Sequence, residues 1–132
     1  MHNLVTGGAG FVGSHLINRL LSREEKVICL DDLSSGSFEN LKDCFNKKNF
    51  QFQKYEITIP FDFKVNRIWY LASLAIPKVY KKSSIKTLNT CYLGSLNALD
   101  LAKKYDASIL LASSSEVYGN AMVHPQTEDY FY

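Results

Sequence analysis

The chain has 132 residues, of which 46% are hydrophobic, and its 15 lysine and arginine residues nearly balance its 13 aspartate and glutamate residues. This length is enough to bury one hydrophobic core, so we expect a single domain. Scattered basic residues argue against nucleic acid as a partner, and the lack of an apolar run of about eighteen residues argues against a membrane span. No signal-peptide pattern follows Met1, so we expect a soluble, cytoplasmic protein.

The cysteines and histidines give no pattern typical of a metal site. Cys29, Cys44 and Cys91 form no CxxC pair, so we expect reduced and mostly buried thiols rather than a disulfide framework or a zinc site. His2 and His124 lack partners at metal-ligand spacing, so we assign no metal.

In the first part of the chain, short apolar runs alternate with a helical pattern. Leu4-Val5-Thr6 predicts a strand, and apolar residues recur at helical spacing from Phe11 to Leu21. The segment Lys26 to Leu30 predicts a second, buried strand, which ends at the acidic pair Asp31-Asp32. Phe38 to Lys48 fits a short helix.

Three further strands and a long helix are predicted in the rest of the chain. The strands are Phe50 to Ile57, Arg67 to Ala72 and Ser108 to Ala112, and the helix runs from Ser84 to Lys104. One side of this helix is apolar and carries Ile85, Leu88, Tyr92, Leu96 and Leu99. Strands alternating with helices imply right-handed crossovers, so we expect an α/β fold with a doubly wound, mainly parallel sheet of the Rossmann type.

A glycine-rich turn separates the first strand from the first helix. Gly7, Gly10 and Gly13 stand at GxxGxxG spacing. We expect Gly7 to permit a tight turn, Gly10 to let backbone amides approach a pyrophosphate, and Gly13 to let the helix pack close to the sheet. The same glycines fit an ordinary turn, but the flanking strand and helix favour dinucleotide binding.

The acidic pair after the second strand favours NAD as that dinucleotide. Asp31 lies eighteen positions after Gly13, where a carboxylate can accept hydrogen bonds from the adenosine ribose and repel a 2′-phosphate. No Arg or Lys lies between Asp31 and Phe38 to neutralise such a phosphate. The alternative is that Asp31 and Asp32 only cap the loop before Ser34-Ser35-Gly36.

Three segments together resemble a known family. They are TGGAGFVGSHL from Thr6, SSSEVYG from Ser113 and HPQTEDY from His124. Serines after a strand are common turn formers, so the second segment alone would be weak evidence. In combination, the three resemble the extended short-chain dehydrogenases that act on nucleotide sugars, and HPQTEDY resembles the UDP-glucuronate decarboxylases within that family.

The resemblance implies roles for individual residues. NAD is the implied cofactor, and its implied contacts are Gly10, Phe11, Val12, Asp31, Asp32, Glu56, Ile57, Leu71, Ala72, Ser73 and Thr90, in addition to Gly7 and Gly13 of the turn. Ser114 matches the catalytic Ser/Thr that bonds the sugar 4-hydroxyl, Glu116 matches the active-site glutamate of the decarboxylases, and Asn97 matches a substrate contact. The implied reaction oxidises C4 of UDP-glucuronate, releases carbon dioxide and returns the hydride.

Some features depart from that family. Asn89 replaces a substrate-binding lysine, Cys91 replaces an asparagine, and Leu74-Ala75-Ile76-Pro77 replaces a more proline-rich loop. These departures keep open a dTDP-glucose 4,6-dehydratase or a UDP-sugar 4-epimerase as the enzyme type.

We also expect residues 1–132 to form an incomplete NAD-binding domain. The family takes its proton with a Tyr-x-x-x-Lys helix, and no such pair follows Glu116. The helix and the carboxyl-terminal substrate-binding part are therefore expected to be absent, and this chain alone to lack turnover. A module that binds NAD or a nucleotide sugar without catalysis is the alternative of another class. The resemblance also implies a homodimer formed through the long helix.

Overall fold

A five-stranded parallel sheet organises the part of the chain that the computed structural model describes, residues 1–74 and 82–130. The order of the strands across the sheet is β3-β2-β1-β4-β5, and every neighbouring pair is parallel. The strands are β1 His2–Thr6, β2 Lys26–Asp31, β3 Phe50–Lys54, β4 Arg67–Tyr70 and β5 Ser108–Leu111. The predicted α/β fold with a doubly wound parallel sheet is confirmed.

Helical segments connect these strands, except between β3 and β4, and cover both faces of the sheet. The helix α1, Phe11–Leu21, follows β1, and a helical region that precedes β5 consists of α2 Ser84–Asn89, a π-helical turn Thr90–Gly94 and α3 Ser95–Tyr105. Two short 3₁₀ helices lie at Phe38–Leu41 and Ser115–Tyr118. None of the helices in the described ranges is long and apolar enough to cross a membrane.

The direction in which the chain winds reverses beside β1. The chain first moves outward from β1 to β2 and β3, and then returns to place β4 on the other side of β1, with Thr6 opposite both Leu30 and Tyr70. In open α/β sheets, ligands bind at such a switch point, outside the carboxyl ends of the strands. The glycine turn follows β1 at this place.

Alternate residues of each central strand contribute to two different cores. Leu4 and Ile68 pack with Ala98 and Leu101 of α3, whereas Val5 packs on the opposite face with Ile17 of α1. This alternation follows from the two-residue period of a strand, and burial on both faces explains why the strands are apolar throughout.

Two predicted strands end at least two residues before their predicted ends. The third strand ends at Lys54 rather than Ile57, and the fourth ends at Tyr70 rather than Ala72. Each stops where its neighbour stops, because β2 ends at Asp31 and β1 turns away at Gly7, which has a φ of +68°. The predicted boundaries were wrong because an apolar pattern does not show where a partner strand ends.

The helix predicted from Phe38 to Lys48 is also wrong in extent. Only the single 3₁₀ turn Phe38–Leu41 forms, and the chain continues through further turns in which Cys44 and Lys47 donate backbone bonds to residues three positions earlier. Leu41 and Cys44 are fully buried against α1 and β2. Leu41 and Cys44 are three residues apart, so successive tight turns can bury both side chains and a continuous α-helix is not required.

The long helix predicted from Ser84 to Lys104 is confirmed in position, but its apolar side faces away from the sheet. Ile85, Leu88, Tyr92, Leu96 and Leu99 are all exposed. The side that packs on the sheet carries small residues, including Gly94 and Ala98, which permit a close approach. The interruption at Thr90–Gly94 was not predicted.

The cysteines mostly follow their prediction. All three are free thiols; Cys29 and Cys44 are buried, and Cys91 is exposed on the π-helical turn. Burial raises the pKa of the Cys29 thiol, so this residue is expected to be an inert core side chain. Of the loop predicted to depart from the family, Ala75-Ile76-Pro77 lies outside the described residues.

Candidate dinucleotide-binding site

The glycine turn packs directly against the segment that follows β4. The backbone N–H of Gly7 donates to the Leu30 carbonyl over 2.8 Å, and the φ of Gly7 is +68°. A Cβ atom on Gly7 would lie 2.9 Å from the backbone N and Cα of Ala72. Glycine is required here for both the backbone conformation and the space. The contact sets the turn beside Leu71-Ala72-Ser73 at the switch point.

The amino end of α1 is open to an anion. Gly10 is the N-cap residue, provides no capping side chain, and is followed by no acidic residue in the first turn. The first backbone N–H groups of a helix have no partner within it, and the helix dipole favours negative charge there. A Cβ atom on Gly10 would meet only the Gly7 carbonyl oxygen, at 3.2 Å, so the space above Gly10 is free of side chains.

Gly13 acts at a different contact from the one expected. A Cβ atom there would collide with the Gly7 carbonyl and with the Gly8 Cα atom. Gly13 thus lets α1 approach the glycine turn itself, whereas the prediction placed its contact with the sheet. The first helix is consequently held by its own preceding turn.

Asp31 joins the glycine turn to the loop after β2. The two oxygens of its buried carboxylate accept different backbone bonds, one from the Ala9 N–H over 2.9 Å and one from the Leu33 N–H over 2.8 Å. Burial raises the pKa of Asp31, although the bonds from Leu33 and Ala9 oppose this rise. Asp31 therefore does more than cap its own loop, because it also fixes the position of Ala9 beside the helix amino end.

Asp32 forms an ion pair across the cleft. Its Oδ2 atom lies 2.8 Å from Nζ of Lys86 on α2, and its Oδ1 atom accepts from the Ser34 N–H over 2.8 Å. Partial burial acts to raise the pKa of Asp32, but the hydrogen bonds from Lys86 and Ser34 outweigh it and lower the pKa. The Asp32 hydrogen bond correspondingly raises the pKa of Lys86. Asp32 is thus held as a carboxylate.

These segments surround one cleft of about 400 Å³ at the carboxyl edge of the sheet. Every residue that the sequence predicts to contact the cofactor lines it. They are Gly7, Gly10, Phe11, Val12, Gly13, Asp31, Asp32, Glu56, Ile57, Leu71, Ala72, Ser73 and Thr90. The cleft joins free helix amides, carboxylates and apolar walls, a combination that suits a dinucleotide. Binding itself stays a prediction.

The backbone of the π-helical turn is held at one wall of this cleft. The hydroxyl of Tyr70 donates to the Thr90 carbonyl over 2.7 Å, and Thr90 is buried. A Cβ atom on Gly94 would collide with the same hydroxyl. Burial raises the pKa of Tyr70 to about 12, so the hydroxyl stays protonated and acts as a donor. Tyr70 thereby positions Thr90.

The predicted catalytic and substrate residues do not line the cleft. Ser114 and Glu116 are exposed after β5, where the Ser114 hydroxyl accepts from the Glu116 N–H over 3.3 Å and caps the 3₁₀ helix Ser115–Tyr118. The side-chain amide of Asn97 donates to the Ile57 carbonyl over 2.9 Å and so supports the cleft wall from behind. Their roles in catalysis and substrate binding stay predictions.

Sequence reasoning missed several residues of the cleft. Lys86 comes 54 positions after Asp32 and reaches it only because α2 returns over the sheet, so no local pattern indicated the pair. Ser34, Ser35 and Tyr55 also line the cleft and are near predicted residues in the chain. Within residues 1–74 and 82–130, no three His, Cys, Asp or Glu side chains are grouped to hold a metal ion.

Comparison with known proteins places this architecture among nucleotide-sugar enzymes. UDP-glucuronic acid decarboxylase 6 of Arabidopsis thaliana is 46% identical over 132 residues, which cover 99% of this chain and 38% of that protein. The chain therefore spans well under half the length of this relative.

Two solved structures share the fold. One is DesIV, a dTDP-glucose 4,6-dehydratase from Streptomyces venezuelae with NAD bound; its TM-score is 0.86 at 26% identity, over 98% of this chain and 44% of that one. The other is a UDP-N-acetylglucosamine 4-epimerase from Methanobrevibacter ruminantium, with a TM-score of 0.84 at 28% identity, over 97% of this chain and 42% of that one. The GDP-mannose 4,6 dehydratase family model matches residues 4–132, and the chain belongs to that family.

Proposed function

We propose that this chain forms the NAD-binding part of a nucleotide-sugar enzyme of the UDP-glucuronate decarboxylase type. The observation that carries the proposal is the cleft at the switch point, where uncapped amides of α1 face the same space as Asp31 and Asp32. The 46% identity to a UDP-glucuronic acid decarboxylase supports this enzyme type.

Each part of the cleft has a role in this proposal. The backbone amides at Phe11 and Val12 bind the pyrophosphate, because the helix dipole and unpaired N–H groups favour an anion. Asp32 accepts from the adenosine ribose hydroxyls, since its side chain is 28% exposed whereas Asp31 is buried. Leu71, Ala72 and Thr90 flank the nicotinamide end. When bound, NAD supplies the acceptor and donor of a hydride.

Ser114 and Glu116 contribute to the proposed chemistry at the neighbouring strand end. We assign Ser114 to hold the oxygen at C4 of the sugar. Glu116 is assigned to act beside the sugar carboxylate, which is lost as carbon dioxide. Both side chains are solvent-exposed in this structure and meet no group of the cleft, so a bound sugar would have to bridge the distance. Asn97 supports Ile57 and is proposed to reach the substrate from the same wall.

Two alternatives differ in chemistry or in class. A dTDP-glucose 4,6-dehydratase or a UDP-sugar 4-epimerase would use the same NAD cleft, and structures of both kinds share this fold. A non-catalytic binding protein would keep the cleft without turnover.

The homodimer expected from the resemblance is part of the same proposal. Ile85, Leu88 and Tyr92 are each more than 60% exposed on the helical region before β5. Contiguous apolar side chains on a surface helix are typical of an interface. We propose that a second copy of this chain covers these side chains, since in a symmetric dimer the helix packs against the same helix of the partner.

A binding titration tests the cofactor assignment. Gly10→Ala places a methyl group in the free space above the glycine turn, where only the Gly7 carbonyl is near. Gly10 has a φ of −77°, which alanine adopts without strain. We expect calorimetry to show NAD binding to the unmodified chain and at least about tenfold weaker binding to the variant, since even one misplaced methyl at a close ligand contact costs about 1–3 kcal/mol.

The control for this titration is the stability of the variant. Urea denaturation of Gly10→Ala is expected to match the unmodified chain within about 1 kcal/mol, because the 3.2 Å contact with the Gly7 carbonyl oxygen needs a small shift that the lower freedom of alanine in the unfolded chain offsets. NAD binding of equal strength in both proteins would show that the pyrophosphate does not pass over Gly10. Absence of NAD binding to the unmodified chain would contradict the proposed cofactor.

A further inference from the structure

The Asp32 carboxylate occupies a ready-made anion site. It accepts from the Lys86 ammonium over 2.8 Å and from the Ser34 backbone N–H over 2.8 Å. An ammonium and a backbone N–H are donors with which proteins bind phosphate. In this chain an internal carboxylate takes both.

Among the described residues that line the cleft, Lys86 is the one cation. The other charged side chains there are Asp31, Asp32 and Glu56, and Lys86 is half-buried against Asp32. Asp31 is buried and bonds Ala9 and Leu33 rather than the ammonium. Removal of the Asp32 charge would therefore leave a positive group and one further donor beside the ribose end.

We propose that Asp32 and Lys86 together set the preference for NAD over NADP, with Asp32 occupying the donors that a 2′-phosphate would otherwise use. This inference rests on the proposed NAD function. It differs from simple repulsion by Asp31, because it assigns discrimination to a pair and predicts that Lys86 becomes a phosphate ligand once its partner is gone. The sequence did not indicate Lys86 as this cation, because Lys86 lies far along the chain from the segment between Asp31 and Phe38.

A variant series measured by calorimetry with NAD and with NADP tests the pair. Asp32→Ser removes the carboxylate and leaves the Lys86 ammonium without its partner. We expect its NADP affinity to rise about tenfold or more, since charge-assisted hydrogen bonds to phosphate are among the stronger ones in proteins. The double variant Asp32→Ser with Lys86→Met should lose that gain, whereas Asp32→Ser with Lys82→Met, which removes a neighbouring charge, should keep it.

A second variant tests whether a folding defect in Asp32→Ser could explain the result. Asp32→Asn keeps an oxygen that can accept from Ser34, and it should show a smaller gain in NADP affinity in the same direction, with urea denaturation confirming a folded chain. Tight NAD binding with no gain in NADP affinity in either variant would overturn the inference alone. A gain that persists without Lys86 would also overturn it. Absence of binding of both cofactors to every variant would overturn the proposed function together with it.

Discussion

Asp31 connects two segments that are distant in the chain. Its buried carboxylate receives the N–H of Ala9 before α1 and the N–H of Leu33 after β2. Burial raises its pKa, so its ionised form is less favoured than in water and the two hydrogen bonds offset part of that cost. Because its pKa is higher in the folded chain than in the unfolded chain, Asp31 adds to the free energy of unfolding below its ordinary pKa of 3.8. That contribution is lost as the pH rises through the raised value.

We expect Asp31→Ala to destabilise the chain in the absence of any cofactor. The change leaves the Ala9 and Leu33 N–H groups without their acceptor, and a buried donor without a partner costs about 1–3 kcal/mol. Relief of carboxylate desolvation reduces the loss but restores neither bond. Urea denaturation at neutral pH measures the effect.

The matched control is Asp43→Ala, which removes an exposed aspartate from a turn and should change the free energy of unfolding by less than about 0.5 kcal/mol. Equal stability of Asp31→Ala and Asp43→Ala would contradict a structural role for Asp31. The comparison also matters for cofactor titrations, because Asp31→Ala would weaken NAD binding by displacing the glycine turn.

At single residues, sequence reasoning succeeded where a motif has a fixed local geometry. Gly7, Gly10 and Asp31 were predicted at one cleft because strand ends and helix starts of a parallel sheet meet at the same edge. Lys86 was not predicted, since its place depends on how a later helix returns over the sheet. Asn97 matched a substrate contact by resemblance, yet its amide holds the Ile57 carbonyl.

Among the elements, the π-helical turn has a specific partner in the sheet. Tyr70 ends β4, and its hydroxyl reaches the carbonyl of Thr90 where the turn begins. Gly94, where the turn ends, has no side chain to obstruct that hydroxyl. A side-chain group that enters a helical hydrogen-bond ladder is a known cause of local irregularity, and π-helical turns are frequent at functional sites. The irregularity places Thr90 in the cleft wall.

We expect Tyr70 and Gly94 to be energetically coupled. Tyr70→Phe removes the bond to Thr90 and should cost about 0.5–1.5 kcal/mol. Gly94→Ala forces a methyl group against the hydroxyl and, at 2.7 Å, against Cδ1 of Ile57, so it should cost about 1–3 kcal/mol despite the better helix propensity of alanine. The double variant should lose less than the sum, because the hydroxyl that obstructs the methyl group is gone.

A double-mutant cycle from urea denaturation measures this coupling. Strictly additive losses would show that the hydroxyl does not set the path of the turn. As a control, Tyr55→Phe removes the hydroxyl that donates to Pro60 at an exposed site, and it should add to Gly94→Ala without coupling.

The elements themselves were predictable to differing degrees. Five strands and two helical regions follow from apolar periodicity, since both faces of a parallel sheet are buried. The structure of the segment Phe38 to Lys48 could not be predicted, because its turns are fixed by the long-range burial of Leu41 and Cys44. The π-helical turn could not be predicted either, because the Tyr70 hydroxyl that bonds it lies 20 positions away.

For the whole molecule, the least predictable property was which side of the last long helix faces the sheet. Amphipathic patterns place the larger apolar side chains inward, but here Gly94, Ala98 and Ala102 face the sheet together with Leu101, while Leu88, among others, stays exposed. Small residues allow the helix to lie close to β4 and β5. The large apolar residues are then free to meet another surface, which agrees with the proposed homodimer.

We expect Leu88→Lys to weaken self-association. Leu88 is 66% exposed between Ile85 and Tyr92, and a charge inserted there would be desolvated in a symmetric interface, where each copy supplies the same patch. The dimer dissociation constant should rise about tenfold or more, because hot-spot positions near the centre of an interface each contribute about 2 kcal/mol or more. Sedimentation equilibrium over a range of concentrations measures it. Phe38→Lys is the matched control, since Phe38 is 50% exposed but packs against Phe52 on the other face of the sheet. If both variants associate like the unmodified chain, or if that chain is monomeric throughout, the apolar side of the helix is not a contact between copies.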